Sequence, residues 1–157
     1  MTHKYTDEKF IEDAINKYSD TVFRVAFQYL KNRADAEDIS QEVFLRLLTK
    51  LPPLTGEQLK AWLIRVTINR SKDYLRARKR RDAALSMYTP PEYARDVHNE
   101  VFDELAKLPE HDRNALYLHY YEGYTAGEIA GIIGGNERAV TKRIGRAREK
   151  LKHLLEE

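Results

Sequence analysis

A chain of 157 residues with 27 Lys+Arg, 25 Asp+Glu and no cysteine has room for one domain or two small ones, and can form neither a disulfide nor a cysteine-ligated metal site. No window approaches the roughly 20 apolar residues that a membrane-crossing helix needs, and residues 1–10 are too charged for a secretory signal, so the expected location is cytoplasmic. The net charge of +2 conceals unequal blocks: nine Lys/Arg against one Asp over 60–81, nine acids against three bases over 92–128, and seven bases against one Glu over 138–152.

Thr6, Asp7 and Glu8 suit a helix start, after which Ile11, Ile15, Tyr18, Val22, Val25 and Tyr29 recur at alternating spacings of four and three, the stripe of one long helix. Residues 31–34 form a polar break. Residues 35–51 then place Ile39, Val43, Phe44, Leu47, Leu48 and Leu51 on one side of a second amphipathic helix, which Pro52 and Pro53 stop. Thr55 with Gln58 is a capping box for a third helix, whose Leu59, Trp62, Leu63, Val66, Ile64 and Ile68 imply burial between neighbours. Residues 82–99 contain Ser86, Thr89, Pro90 and Pro91 without a sustained period and are expected to be a linker.

Beyond the linker, Val101, Phe102, Leu105 and Leu108 suggest a short helix, and Pro109 suits the first turn of another that runs to Tyr121 and ends at Gly123. Thr125 with Glu128 forms a second capping box, opening a helix with Ile129, Ala130 and Ile133 inward. Gly134 and Gly135 make a turn, and Asn136 caps a last helix that buries Val140, Ile144, Ala147 and Leu151. The expected fold is all-α: two small helical domains at 1–81 and 100–157, joined by a flexible linker at 82–99.

A short capped helix, a glycine turn and a longer basic helix follow the helix-turn-helix plan. Arg138, Lys142, Arg143 and Arg146 could reach bases and phosphates from that last helix, although a helical hairpin with a solvated basic face has the same pattern. On the third helix Arg65, Asn69, Lys72 and Arg76 share a face, read as opposite Trp62, which is itself expected in the core. An amide among bases suits base reading, while a solvated basic tail is the plainer alternative. Asp35, Glu37, Asp38, Gln41 and Glu42 crowd the start of the second helix, where capping alone would account for acids. No catalytic constellation, metal pair or phosphate-cradling loop stands out, so neither enzyme activity nor a cofactor is expected.

Four motifs in order, DAEDISQEVFLRL at 35–47, WLIRVTINRSKDYLR at 62–76, LAKLP at 105–109 and EIAGIIGGNERAVTKRIGRAREKL at 128–151, resemble bacterial sigma-70-type factors of the small extracytoplasmic-function (ECF) group. The resemblance spans nearly the whole chain and implies a region 2 domain and a region 4 domain. It implies that Asp38, Gln41 and Glu42 bind the clamp coiled coil of the polymerase β′ subunit. Arg65, Asn69, Lys72, Asp73 and Arg76 would meet the minus-ten element, with the loop at 51–58 helping to hold a flipped base. Arg138, Thr141, Lys142, Arg143 and Arg146 would read the minus-thirty-five element. Core RNA polymerase, including its β flap through region 4, promoter DNA and an anti-sigma factor are the implied partners. Arg138-Ala139-Val140 departs from the Gly-Thr-Val common at the start of the family's recognition helix, so promoter preference is expected to differ there. The rival readings are a stand-alone helix-turn-helix regulator with an N-terminal oligomerisation module, and a carboxylate metal nuclease.

Overall fold

The computed structural model of the chain describes residues 2–85, 105 and 107–156. Its contacts divide into two compact units, Met1–Pro91 and Glu92–Glu157. Among the described residues every regular element is helical, as the periodicities require, and no helix is long and apolar enough to cross a membrane.

The first unit packs three helices against one another: α1 (Thr2–Leu30), α2 (Arg33–Lys50) and α3 (Gly56–Leu85). The stripe of α1 is buried at Ala14, Tyr18, Val22, Val25 and Tyr29, but Ile15 lies on the exposed side. Ala14, four residues before the buried Tyr18, takes the inward position at that turn instead. Lys31 at φ 55° makes the sharp break, and Asn32, rather than an acid at 35, caps α2 by accepting from the Asp35 backbone N–H at 2.9 Å. On α2 the buried arc is Ala36, Ile39, Val43, Phe44 and Leu47; Leu48 and Leu51, expected on that side, are exposed. One residue turns a helix by about 100°, which carries Leu48 from the edge of the arc to the outside. Leu51 ends the helix in the left-handed region at φ 40°.

At the start of α3 Gly56 adopts φ +57°, and its carbonyl accepts from Tyr18 Oη at 3.2 Å, so this helix start is fastened to α1. Leu59, Leu63, Ile64 and Ile68 are buried, and Thr67, also buried, donates its hydroxyl back to Leu63 O at 2.6 Å. The helix continues through Leu85, so the first four residues of the expected linker are helical. The remainder of that linker, and the helix suggested by Val101 and Phe102, lie outside the described residues.

In the second unit, α4 (Glu110–Leu116) runs directly into a π turn at Tyr117–Tyr121, closed by Glu122 N–H to Tyr117 O at 3.2 Å. Pro109 stands just before α4 as its N-cap. The expected single helix to Tyr121 thus widens in its last turn, where Tyr117 and Tyr121 stack with centroids 5.2 Å apart. Arg113 is buried and donates Nη1 to Leu108 O at 2.6 Å, which anchors the segment before α4. The helices α5 (Ala126–Ile133) and α6 (Glu137–Glu156) both pack on this scaffold. On α5 the inward residues are Ile129, Ala130 and Ile132, and Ile133, expected inward, is only half-buried. Contacts with both α6 and the π turn rotate the buried arc toward position 132. Val140, Ile144 and Ala147 of α6 are buried as its spacing predicts, while Leu151 is half-buried.

Candidate nucleic-acid interface

The second unit folds the way its local signals dictate. Thr125 Oγ1 accepts from Glu128 N–H at 3.2 Å and Glu128 Oε1 accepts from Thr125 N–H at 3.0 Å, a complete capping box. Hydrogen bonds to its carboxylate from Thr125, first from the backbone N–H and then from the side chain, hold the Glu128 carboxyl below its ordinary value. Gly134 at φ +90° and Gly135 at φ +100° then reverse the chain, and Asn136 Oδ1 caps α6 by accepting from Ala139 N–H at 2.8 Å. Two helices joined by a glycine turn leave the outer face of the longer one open.

That face carries Arg138, Thr141, Lys142 and Arg146, all exposed. Thr141 spends its hydroxyl proton on Glu137 O at 2.9 Å, so toward a ligand it can only accept. Arg143 stands apart from them. It is half-buried, with Nε 3.8 Å from Asp112 Oδ1 on α4, and Lys150 reaches the other oxygen of Asp112 at 3.3 Å. The structure therefore gathers four of the five expected minus-thirty-five residues and turns the fifth toward the scaffold.

In the first unit, Arg65, Asn69, Asp73 and Arg76 are exposed along α3 and Lys72 is half-buried beside them. Trp62 is not opposite this face. At about 100° per residue it lies within about 60° of Arg65, Asn69 and Arg76, and it is half-buried, as is Val66. An aromatic and an aliphatic side chain thus border the basic face, the pairing of π surface and cation that suits an unpaired base. The loop read as 51–58 is shorter than expected, since Gly56, Glu57 and Gln58 already belong to α3. Beyond the expected residues, Arg80 and Lys79 extend the basic face past Arg76.

On α2, Asp38, Gln41 and Glu42 are exposed on one side, and two residues that sequence reasoning missed continue it: Leu45 and Leu48, 62% and 46% exposed. Leu45 four residues after Gln41, and Leu48 three after Leu45, were the available signal. These two leucines, three residues apart, add apolar surface next to the acids on the open side of α2. Asp35 is spent elsewhere, 3.6 Å from Arg78 Nη1 and hydrogen-bonded to Tyr74. Burial first, and then that bond, push the Tyr74 phenol above its ordinary value. Among the described residues no three His, Asp or Glu side chains gather as a metal site.

Two family models match the chain. The sigma-70 region 2 family model matches residues 14–81 and the sigma-70 region 4 model matches residues 98–151. The chain is 28% identical to the ECF RNA polymerase sigma factor SigW of Bacillus subtilis, over 97% of this chain and 92% of that one. It is 32% identical to the probable RNA polymerase sigma factor RfaY of Xanthomonas campestris pv. campestris, over 86% of this chain but only 38% of the longer relative. In fold it resembles the sigma factor RpoE of Bartonella quintana, solved with the anti-sigma factor NepR, at a TM-score of 0.79 and 22% identity over 94% of this chain and 98% of that one.

Proposed function

The chain belongs to the sigma-70 family of RNA polymerase sigma factors, in its ECF group, and from that premise we propose a residue-level division of labour. It is a dissociable, non-enzymatic specificity subunit that acts wherever the cytoplasmic polymerase is. The acidic and leucine-bearing face of α2, with Asp38, Gln41, Glu42, Leu45 and Leu48, docks on core polymerase. The face of α3 with Arg65, Asn69, Lys72, Asp73 and Arg76 meets the minus-ten element, and Arg138, Thr141, Lys142 and Arg146 on α6 meet the minus-thirty-five element. Arg143, drawn toward Asp112, holds a flanking phosphate in place of a base.

The observation that carries this reading is that each unit lays open one basic helix face while its core lies on the other side. Two weak readers on one chain become strong when a third body holds both in register. The free chain is therefore expected to bind promoter DNA weakly, and a nanomolar complex without polymerase at physiological salt would count against the proposal. An anti-sigma partner is part of the proposal too, since the sigma factor RpoE that shares this fold is solved in complex with one.

Run-off transcription with core polymerase and a promoter library is the direct test. Lys142→Ala should relax selection in the minus-thirty-five element alone, by about 1–3 kcal/mol at a contacted base, and Asn69→Ala in the minus-ten element alone. Arg143→Ala should weaken binding evenly across sequences and lower the salt slope by about one. A chain that supports no initiation, or that dimerises on a palindrome as a stand-alone regulator would, refutes the proposal.

A further inference from the structure

Between the docking face of α2 and the basic face of α3 runs a line of alternating charges that neither role explains. Glu42 Oε2 accepts from Arg70 Nε at 3.0 Å and from Arg70 Nη2 as well, an inter-helix pair. Arg70 Nη1 lies 4.0 Å from Asp73 Oδ2, and Asp73 Oδ1 is 3.4 Å from Arg76 Nη1. The first member sits among the docking residues and the last among the minus-ten residues. Arg70 itself belongs to neither face, being half-buried on the flank of α3 that looks toward α2.

We infer that Glu42, Arg70, Asp73 and Arg76 form an exchange relay through which docking on polymerase raises the affinity of α3 for the minus-ten strand, with Arg70 as the positioning residue. The inference rests on the assignment of α2 and α3 made above. In the free chain Arg70 is engaged by Glu42, so Asp73 is left to hold Arg76. A cationic surface that docks on α2 takes over Glu42. Arg70 then has Asp73 as its nearest acid and closes the 4.0 Å gap. With its charge answered by Arg70, Asp73 releases Arg76 toward a phosphate and repels that phosphate less.

The side chains of the four are 46%, 37%, 56% and 71% exposed, which decides what kind of device this is. Buried pairs would lock, whereas exposed ones exchange partners readily and are each worth only about a two- to fivefold change in an equilibrium constant. The coupling must therefore be modest, and by linkage DNA on α3 must strengthen polymerase docking by the same factor.

The test is the affinity of a labelled single strand, carrying the minus-ten sequence selected in the run-off library, for the free full-length chain and for the holoenzyme. The quantity of interest is the ratio of the two. Arg70→Gln should lower that ratio about two- to fivefold, and Arg70→Lys, which keeps the charge, should restore part of it. Glu42→Gln should make the free chain bind the strand about two- to fivefold more tightly, imitating docking. A ratio unchanged in Arg70→Gln, an equal loss in both states, or a free Glu42→Gln chain that binds as wild type would each overturn the relay. Failure of the underlying assignment looks different: the wild-type chain would then form no holoenzyme that selects a promoter.

Discussion

Gly134→Ala isolates what the turn before α6 contributes. Gly134 sits at φ +90° and ψ 161°, a region that residues with a Cβ almost never occupy, while its N–H closes α5 on Ala130 O at 2.9 Å. A Cβ built there meets nothing within 4 Å, so no clash enters and the whole cost is backbone strain. Strain of this kind costs about 1–3 kcal/mol, and the lower chain entropy of alanine in the unfolded state returns about 0.4–1 kcal/mol. The expected loss is thus about 1–2 kcal/mol, a sizeable part of the roughly 3–8 kcal/mol available to a unit of this size.

Gly131 is the matched control. It lies within α5 and its Cβ would also meet open space, so Gly131→Ala should stabilise by about 0.5–1 kcal/mol. Urea unfolding followed by circular dichroism, with amide exchange in α5 and α6, reads both changes. The two variants should shift in opposite directions, and Gly134→Ala should also weaken minus-thirty-five recognition because the turn aims α6. A Gly134→Ala chain as stable as wild type, or a Gly131→Ala chain equally damaged, would refute the argument from backbone conformation.

Adjacent leucines on α2 should separate folding from docking. Leu47→Ala, at a fully buried site, should cost about 2–5 kcal/mol in urea unfolding, while Leu48→Ala should leave stability within about 0.5 kcal/mol and lower holoenzyme formation. Thr125→Ala should cost about 1 kcal/mol by removing one arm of the capping box. The lowered carboxyl of Glu128 contributes stability above the ordinary carboxylate range that is lost as pH falls through its folded value, so Glu128→Gln should flatten the acid limb of a stability profile. Tyr74 has the opposite sense: its raised phenol contributes stability that is fully present below about pH 10 and is lost as pH rises through the folded value. Tyrosinate absorbance should show a late-titrating component that Tyr74→Phe removes and Asp35→Asn moves earlier.

Signals that act within one turn were legible. Thr125 with Glu128, Gly134 with Gly135, and Asn136 each require partners no more than three or four residues away, and each forms as its residue types demand. The order of the described helices followed from apolar periodicity for the same reason. Which side of a helix is open proved harder, because the arc that is buried depends on where the neighbours lie. Leu48 and Ile15 fit the apolar stripe yet face outward, and Trp62, counted as core, borders the basic face of α3.

What the sequence determined by itself was therefore the all-α class, two helical units, the helix-turn-helix plan and the family. These depend on local backbone chemistry and on motif order along the chain. Only the tertiary structure decided which charges are spent. Arg70 reaches Glu42 across 28 residues, Arg143 is drawn to Asp112, and Asp35 is taken by Arg78 and Tyr74. An ion pair between helices depends on the angle and depth at which they cross. The hydrophobic core sets that geometry, and no spacing along one helix encodes it.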